Sequence, residues 1–532
     1  MSKRNGQRNL HTVTRDDPPF LFHCGEGYER HRLPVGATVI YPNAPLAPLP
    51  DARAAIIQAI DHPEGMEPLD AHLTPGMSVT IAFDDVSLPL PRMARPDIRQ
   101  TIIEVVLERL DRAGVTDIEL ICAICLHRRC TPAELKHFVG SAIFNRFWPD
   151  RLYNHDAEDP AGNVHLGVTD TGEDVEINRR AVESDLLVYV NINLATMDGG
   201  HKSVPVGLAT YKSVRHHHNA ATMLHESSYM DPERSIFHRS CDRMGAVVKK
   251  HIKIFTIETS LNGDTFHNLL GFLQKRESAW NVRDRLSYHG SRVGLKLLPA
   301  SLRRKAYSAL PAPYGLTGAH AGDTQAVHVK TLENVYRQQL VTVPEAFDIA
   351  IVGLPSIGPY NVNSILNPIL VHCLALGYFF NFFREHPYIR KGGVMILTHP
   401  IEHAFNLLHH PSYFDFFENA VCHTRDPKEL ERRFEKSYAE SDWYRHLYRH
   451  SYAYHGVHPF YMWYWAAHGA AHLGKVIAVR PKGEAAARRL GYDVAPTLAA
   501  AIGEARDYVG RDARMCYFHC PPIMITEIGP QA

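Results

Sequence analysis

The chain of 532 residues is too long for one ordinary hydrophobic core, so two or more domains are expected. Its 57 basic and 57 acidic residues balance, which gives no electrostatic reason to expect nucleic acid or an anionic membrane as a partner. The 34 histidines are the one outlier in composition, and histidine is the commonest metal ligand. The polar first 20 residues lack the apolar stretch of a signal peptide, and the nine cysteines are expected to be free thiols. Both features predict a cytoplasmic protein.

The N-terminal half alternates strand-like and helix-like segments in the way that is typical of a parallel α/β sheet. After a lead-in over 1–35 and a proline-rich connector, the apolar run 77–85 predicts a strand, and a 3.6-residue apolar period predicts a helix over 96–113. Further strands are predicted at 116–125 and 184–192. Ligands of such sheets bind outside the carboxyl ends of the strands, so the loops after these three strands are expected to face one crevice.

A second α/β unit is predicted to begin near residue 345, where another apolar strand follows a proline. The longest apolar run, 369–383, is shorter than the ~20 residues that span a bilayer, so it predicts a buried helix. We therefore predict two α/β domains with largely parallel sheets and an active site in the cleft between them. The predicted divisions are a lead-in over 1–35, an N-terminal domain over 36–344 with a basic helical insert at about 267–318, a C-terminal domain over 345–510, and a tail over 511–532 that could return to the N-terminal domain.

Five short motifs lie in or beside the predicted loops. They are DVSLPLP (85–91), LHRRCT (126–131), NHD (154–156), INRR (177–180) and GGHKS (199–203), the last followed by a proline, a glycine and the histidines 216–218. In order and spacing this set resembles the lactate racemase family over about residues 75–260, and weaker agreement resumes in the second domain. Members of that family use a nickel-pincer nucleotide, which is a pyridinium mononucleotide joined to a lysine by a thioamide. Its two sulfurs and one ring carbon bind nickel, and a histidine completes a square plane, a geometry that suits Ni(II).

The resemblance implies roles for the most reactive residues. Lys202 would carry the pyridinium-3-thioamide-5-thiocarboxylic acid mononucleotide covalently, and His218 would bind nickel. Because His216 and His217 are adjacent to it, the choice within the triplet stays open. His127 matches the catalytic histidine, which takes the hydroxyl proton of a 2-hydroxy acid while a hydride moves to the pincer ring. An imidazole suits this step because its ordinary pKa is ~6.5.

The remaining site residues follow from the same motifs. The resemblance implies that the cofactor is further bound by Asp85, Ser87, Arg128, Gly199 and Gly200. His201, directly before the lysine, is the candidate for the second acid/base, or for a contact to the cofactor phosphate. From the residues alone, His127 could instead cap the helix that begins near Thr131, and Arg128 could form a surface ion pair.

Three departures from the family pattern affect the substrate end of the site. Leu88 stands where the family has an arginine for the substrate carboxylate, and an apolar side chain cannot replace a bidentate guanidinium. Arg92 is a possible substitute from a shifted loop. The segment before the Gly-Gly turn lacks the family's second catalytic histidine, and Asn361 and Asn363 occupy the region of the second domain's lysine. These departures imply a racemase or epimerase of a 2-hydroxy acid other than plain lactate.

Other classes of function remain open from the sequence. A redox enzyme that keeps the cofactor and takes a hydride from one face would not need the missing second histidine. A non-catalytic paralogue that binds the nucleotide or nickel is a third possibility. The stretch 443–472, rich in aromatic residues and histidines, could be helix packing or a substrate wall. The expected partners are a small hydroxy acid and the enzymes that make the cofactor, and the oligomeric state is left open.

Overall fold

The computed structural model describes residues 9–529, apart from the side chains of 307–309, and contains two main β-sheets. Residues 1–8 of the predicted lead-in and 530–532 of the predicted tail lie outside the described residues. The strands of the first half are β1 (Leu10–Thr12), β2 (Phe20–Cys24), β3 (Gly27–His31), β4 (Thr38–Ile40), β5 (Ser78–Asp84), β6 (Asp117–Ala123), β7 (Leu152–Asn154), β8 (Asn163–Val168), β9 (Asp174–Asn178), β10 (Leu186–Asn193) and β11 (Ile254–Leu261). Those of the second half are β12 (Leu316–Gly322), β13 (Leu340–Val343), β14 (Phe347–Gly353), β15 (Phe383–Arg384), β16 (Ile389–Thr398), β17 (Lys475–Val479), β18 (Asp493–Ala495), β19 (Met515–Phe518) and β20 (Ile525–Ile528).

Helices connect these strands. The first ten are α1 (Ala52–Asp61), α2 (Ile98–Arg112), α3 (Pro132–Phe147), α4 (Arg179–Glu183), α5 (Ser203–Gly207), α6 (Tyr211–Val214), α7 (Ala220–Met223), α8 (Ile236–Val248), α9 (Val282–Leu297) and α10 (Ala300–Ala309). They are followed by α11 (Thr324–Gln339), α12 (Pro368–His372), α13 (Pro411–Asn419), α14 (Pro427–Leu430), α15 (Lys436–Ala439), α16 (Asp442–His450), α17 (His458–Trp465), α18 (Ala467–His472), α19 (Glu484–Arg489) and α20 (Leu498–Val509). None of the helices in the described part of the chain is both long and apolar enough to cross a membrane.

The N-terminal sheet has six strands in the order β12-β11-β10-β5-β6-β7. Neighbouring strands are parallel except for β11 and β12. β5 and β10 are buried along almost their whole length, which explains why they are nearly continuous apolar runs instead of alternating ones. Because β6, β5 and β10 are parallel neighbours, the loops after them emerge together at one edge. The predicted α/β fold with largely parallel sheets is confirmed.

The C-terminal sheet has seven strands in the order β1-β4-β19-β14-β16-β17-β18, and all neighbours are parallel except β1 and β4. Two of its strands come from residues 10–40, which differs from the expected lead-in and connector. β19 comes from the predicted tail, and it pairs with β4 and β14 rather than with the N-terminal sheet. Sequence periodicity did not indicate these additions, because strands of three or four residues are stabilised by their neighbours and carry little pattern of their own.

The predicted helical insert packs against the N-terminal hairpin. Helices α9 and α10 lie within it, and Trp280 and Tyr288 form an apolar cluster with Tyr28 from β3. The hydroxyl groups of Tyr28 and Ser291 also share a hydrogen bond, and Arg303 Nε donates to Glu26 Oε2 at 2.8 Å. The insert therefore covers the hairpin β2–β3.

The apolar run 369–383 is a buried helix, as the sequence predicts. It begins as α12 and continues as a π-helix over Cys373–Phe379, in which every residue is buried. Asn381 Nδ2 donates to the carbonyl oxygen of Gly377 at 2.7 Å and holds the end of this segment. π-Helical turns often occur at functional sites, and Leu374 and Tyr378 of this one line the cavity described next.

Candidate active site

A cavity of about 180 Å³ lies between the two sheets, where the loops after β5, β6 and β10 face the C-terminal half of the chain. Four of the residues implied by the sequence line it together: Ser87, His127, Lys202 and His218. The opposite wall is formed by residues of the second half, among them Ile357, Pro359, Tyr360, Tyr378, Phe382 and Trp465. The cavity therefore has the position predicted for the active site, in a cleft to which both sheets contribute.

His127 is held by a buried carboxylate. Its Nδ1 lies 2.7 Å from Oδ2 of Asp85, whose other oxygen accepts hydrogen bonds from the backbone N–H of Ser87 at 2.9 Å and from its hydroxyl at 2.5 Å. Burial alone would raise the pKa of Asp85, but the interactions with His127 and Ser87 outweigh it, so the pKa is held below its ordinary value. An ionised carboxylate can only accept, so His127 donates from Nδ1 and keeps Nε2 as the basic nitrogen. This arrangement suits an acid/base catalyst.

The turn before Lys202 requires its two glycines. Gly199 and Gly200 have φ values of 85° and 63°, in the left-handed region that favours glycine. A Cβ on Gly200 would lie 2.7 Å from Cδ2 of His328. The backbone N–H of Gly200 donates to Oε1 of the buried Glu258 at 2.6 Å. The structure therefore places both glycines underneath the lysine, against β11 and α11, and neither lines the cavity. Their role here is to shape the turn.

Lys202 reaches the cavity beside an acid. Its Nζ lies 3.5 Å from Oδ1 of Asp198, and its side chain is 16% exposed. Asp198 Oδ2 accepts from the backbone N–H groups of Leu194 and Ala195 at 3.2 and 2.8 Å, which fixes the carboxylate. Burial raises the pKa of Asp198, although Lys202 and these donors oppose the shift. The amine is thus positioned by a rigid loop.

The three adjacent histidines occupy three different environments. His216 is at the surface, where its Nε2 lies 3.3 Å from Oδ2 of Asp174. His217 is buried, and burial lowers its pKa to about 3. His218 lines the cavity and stacks on Trp465 with ring centroids 5.0 Å apart, and it shares a hydrogen bond of 2.7 Å with His217 between their Nδ1 atoms. Of the triplet, only His218 has access to the cavity that contains Lys202.

The structure does not bring Arg128 to this cavity. Its side chain is 1% exposed and forms a bidentate ion pair with Glu134, with N–O distances of 2.7 and 3.0 Å. A further N–H donates to the carbonyl oxygen of Val362 at 3.3 Å. Instead of the implied cofactor contact, Arg128 forms an ion pair within the N-terminal half, and its hydrogen bond to Val362 joins the two halves of the chain.

His201 also points elsewhere. It lies against α8, where a Cβ on Gly245 would come within 2.6 Å of its Cγ, and it lines a separate small cavity. Burial, the largest influence, lowers its pKa. Successive residues of the 3-10 turn Gly200–Lys202 project in different directions, so the residue next to Lys202 does not share its surroundings. The expectation of a second acid/base at His201 finds no support in this position.

Sequence reasoning missed the aromatic wall opposite His127. Tyr360 and His458 both lie edge-on to its ring, with centroids 5.3 Å away in each case. His458 Nδ1 shares a hydrogen bond of 2.5 Å with the hydroxyl of Tyr413, and burial lowers its pKa well below the ordinary value. The stretch 443–472 was the available signal, and it serves both roles left open for it. Trp465 lines the cavity, while most of its other aromatic residues pack in the core.

Few charged side chains line the cavity. Leu88 lines the cavity, and Lys202 is the only lysine or arginine among the described lining residues. Arg92, the suggested substitute, lines an adjoining cavity of about 220 Å³ together with Asn361 and Asn363. The two cavities share Leu88 and a few neighbours, so of the three departures only Leu88 lies where they meet.

Comparisons with known proteins agree with the motifs. A profile of the lactate racemase N-terminal domain matches residues 25–231. Lactate racemase of Lactiplantibacillus plantarum is 29% identical over 173 residues, which is 31% of this chain and 38% of that protein. Lactate racemase of Thermoanaerobacterium thermosaccharolyticum is 24% identical over 165 residues, or 30% of this chain and 37% of that protein. The chain thus spans less than two-fifths of the length of these relatives in the sequence matches.

The fold similarity extends further than the sequence similarity. The structure of the lactate racemase apoprotein from Thermoanaerobacterium thermosaccharolyticum has a TM-score of 0.60 and 16% identity, and the alignment covers 96% of this chain and 100% of that one. At this identity the likeness establishes the common α/β fold. The profile match includes His127, Lys202 and His218, the residues that meet in the cavity. Residues 25–231, in the N-terminal half of the chain, thus match the lactate racemase N-terminal domain.

Proposed function

We propose that the protein is a racemase or epimerase that depends on the nickel-pincer nucleotide and acts on a 2-hydroxy acid other than lactate. One observation carries the proposal: His127 follows β6, Lys202 and His218 follow β10, and all three line the same cavity. The family motifs assign these residues to cofactor attachment, nickel binding and proton transfer. We further propose that the protein acts in the cytoplasm and receives its nucleotide from the enzymes that make it.

The residues present fit this cofactor. Burial, the largest influence, keeps the pKa of His218 well below its ordinary value, so its ring is neutral, and a neutral imidazole is the form that binds a metal. If Nδ1 of His218 donates to His217, Nε2 remains for the metal, and this second partner fixes the ring orientation. Lys202 lies on the same cavity, as covalent attachment requires. When bound, the nucleotide would supply the nickel and the carbon that accepts a hydride.

The chain itself would manage the proton. His127 would take the hydroxyl proton of the substrate on Nε2, and the Asp85 carboxylate would stabilise the imidazolium that forms. As the adjacent carbon loses its hydride, it becomes a planar carbonyl carbon. His127 would return the proton to the oxygen when hydride is supplied to the opposite face of that carbon, which would invert the configuration.

The cavity wall supports a substrate larger and more apolar than lactate. Phe237, Phe382 and Trp465 line it beside Leu88, and aromatic and aliphatic surface favours an apolar side chain by about 25 cal/mol per Å² buried. Lys202 would lose its charge in the thioamide, so the substrate carboxylate would depend on neutral donors instead of a guanidinium at position 88. The hydroxyls of Tyr360 and Tyr378 line the cavity and share one hydrogen bond of 2.9 Å, so one of them keeps a hydrogen to donate. Hydroxy acids with aromatic or long aliphatic side chains are the first substrates to test.

A second candidate function has a specific observation in its favour. Symmetric racemisation is served by one acid/base on each face of the substrate. Among the described lining residues His127 and His218 are the only histidines, and His201 lies in another cavity. A redox enzyme that takes the hydride from one face alone would need only His127. Incubation of the loaded protein with one enantiomer distinguishes the two, because a racemase yields the other enantiomer and a redox enzyme yields the keto acid in proportion to an added acceptor.

The cofactor assignment is tested by intact-protein mass spectrometry and nickel analysis after co-expression with the pincer biosynthesis enzymes. We expect a mass increment and about one nickel per chain in the parent protein, and neither in Lys202→Ala. Lys212→Ala is the matched control, because this lysine is 71% exposed and lies outside the cavity. Absence of the increment in the parent, or its survival in Lys202→Ala, would refute the proposal.

A further inference from the structure

A second cavity of the described chain is larger than the candidate active site. It has a volume of about 350 Å³ and shares no lining residue with the cavity that contains His127. Its walls are the turn of the hairpin β2–β3, helices α9 and α10 of the basic insert, and loops of the C-terminal domain after β14, β16 and β17. Its volume falls in the range of cavities that bind small molecules, roughly 300–1,000 Å³. The proposed function does not use it.

The cavity is lined by more cations than anions. The cations are Arg292, Lys296, Arg303, Arg304 and Lys482. The three acids of the lining already have partners: Glu26 pairs with Arg303 at 2.8 Å, Glu402 with Lys482 at 2.5 Å, and Glu29 with Arg480 at 2.6 Å. The acidic groups therefore do not neutralise the whole lining.

Two of the cations have no acidic partner. Neither Arg292 nor Lys296 has a carboxylate within ion-pair distance in the part of the chain that the structure describes. They stand four residues apart on α9, so they share one face of the helix, where like charges repel. A bound anion would turn this unfavourable pairing into a favourable one.

A buried neutral donor lies in the same wall. His399 is 3% exposed and its Nδ1 accepts the backbone N–H of Ile401 at 3.0 Å. In a neutral imidazole the other nitrogen then carries the hydrogen, so Nε2 is a donor, and this buried atom has no partner within the described residues. Buried polar atoms without partners are uncommon and point to a group that is absent from the protein chain alone.

We propose that this cavity binds a small molecule through a phosphate monoester. A phosphate dianion matches two unpaired cations and a neutral N–H donor, because its oxygens are strong acceptors and its charge is close to two. The ligand would lie against Ser356, Ile365 and Leu366, on the segment whose Pro359 and Tyr360 line the candidate active site. The proposal stands whether or not the protein is a racemase.

The test is calorimetric titration of the full chain with phenyl phosphate, a simple phosphate monoester, at constant ionic strength in phosphate-free buffer. We expect saturable binding in the parent, and at least about tenfold weaker binding in the double variant Arg292→Ala/Lys296→Ala, since each loses a charge-assisted hydrogen bond. Both side chains are exposed, so the variant is expected to fold, and its unfolding temperature checks this. Arg285→Ala, an exposed cation on the same helix outside the cavity, is the matched control.

Three results would overturn the proposal. The first is the absence of binding in the parent. The second is an equal loss of affinity in Arg285→Ala, which would mean that the anion is attracted by charge in general. The third is loss of binding in Lys202→Ala, which would place the anion in the candidate active site. Retained binding in Lys202→Ala supports a separate site. Because that variant also tests cofactor attachment by mass, failure of the one proposal is distinguishable from failure of the other.

Discussion

The pair formed by His127 and Asp85 offers the sharpest test of the proposed chemistry. Asp85→Asn keeps the shape of the side chain and removes the charge that faces Nδ1 of His127 at 2.7 Å. A hydrogen bond to a charged group contributes about 1.5–3 kcal/mol. Since 1.36 kcal/mol corresponds to a factor of ten, losing it when His127 becomes an imidazolium predicts a decrease in kcat of about 10- to 100-fold.

The substitution is also expected to change the tautomer. The amide can donate to Nδ1, which moves the ring hydrogen to Nε2 and blocks the nitrogen that would accept the substrate proton. Chiral chromatography of hydroxy acids incubated with the cofactor-loaded protein measures the rate, and ¹⁵N chemical shifts of the imidazole measure the tautomer without any substrate. Asp174→Asn is the control, because this acid pairs with His216 at the protein surface. An unchanged rate together with an unchanged tautomer would refute the reasoning.

The same carboxylate predicts a pH dependence of stability. His127 and Ser87 lower the pKa of Asp85 below its ordinary value of 3.8 despite burial. A group whose pKa is lowered by folding stabilises the protein above its unfolded pKa, and this contribution is lost as the pH falls through the folded pKa. We therefore expect Asp85→Asn to lower the free energy of unfolding by a constant amount near neutrality and by less below about pH 3.8. Urea denaturation of the parent and the variant at pH 7 and pH 3 measures this.

Three further substitutions have defined outcomes. His218→Ala should remove nickel from the co-expressed protein, as elemental analysis would measure, because only this histidine of the triplet lines the cavity. Gly200→Ala should lower the free energy of unfolding by about 1–3 kcal/mol, since the residue has a φ of 63° and its Cβ would meet His328; urea denaturation measures this. Arg128→Ala should lower the free energy of unfolding by about 3 kcal/mol in the same assay, because it leaves the half-buried Glu134 without its cation.

Each substitution has a matched control in the chain. His216→Ala should retain nickel, since His216 pairs with Asp174 at the surface. Gly290→Ala, in open space on α9, should be stabilising by about 0.5–1 kcal/mol, and Arg146→Ala, from an exposed pair, should change stability by about 1 kcal/mol or less. Equal nickel loss in His218→Ala and His216→Ala would contradict the assignment of the nickel ligand. Equal destabilisation of the two glycine variants, or of the two arginine variants, would contradict the explanation given for Gly200 or for Arg128.

Local patterns were sufficient for the elements that carry the site. The buried strands β5 and β10 are nearly continuous apolar runs, and β6 ends in one. Helix α3 begins with a capping box in which Thr131 and Glu134 exchange hydrogen bonds. Parallel strands place their following loops at one edge, so the meeting of His127 with Lys202 could be predicted before any coordinates. These features depend on interactions within a few residues, which is why the sequence alone indicates them.

The direction of each side chain depended on packing between distant segments. Arg128 and His201 stand directly beside His127 and Lys202 in sequence, yet one pairs with Glu134 and the other lies against α8. Of three consecutive histidines, only His218 lines the cavity, because Trp465, far along the chain, covers it.

The motif order was enough to indicate a resemblance to lactate racemases and to predict a parallel α/β sheet whose loops carry the reactive residues. The completed C-terminal sheet, the aromatic wall and the second, cationic cavity were decided by tertiary structure. Strands β1, β4 and β19 lie at opposite ends of the chain and are held by hydrogen bonds to one another. Such contacts form only when the whole chain folds, so no local window of sequence contains them.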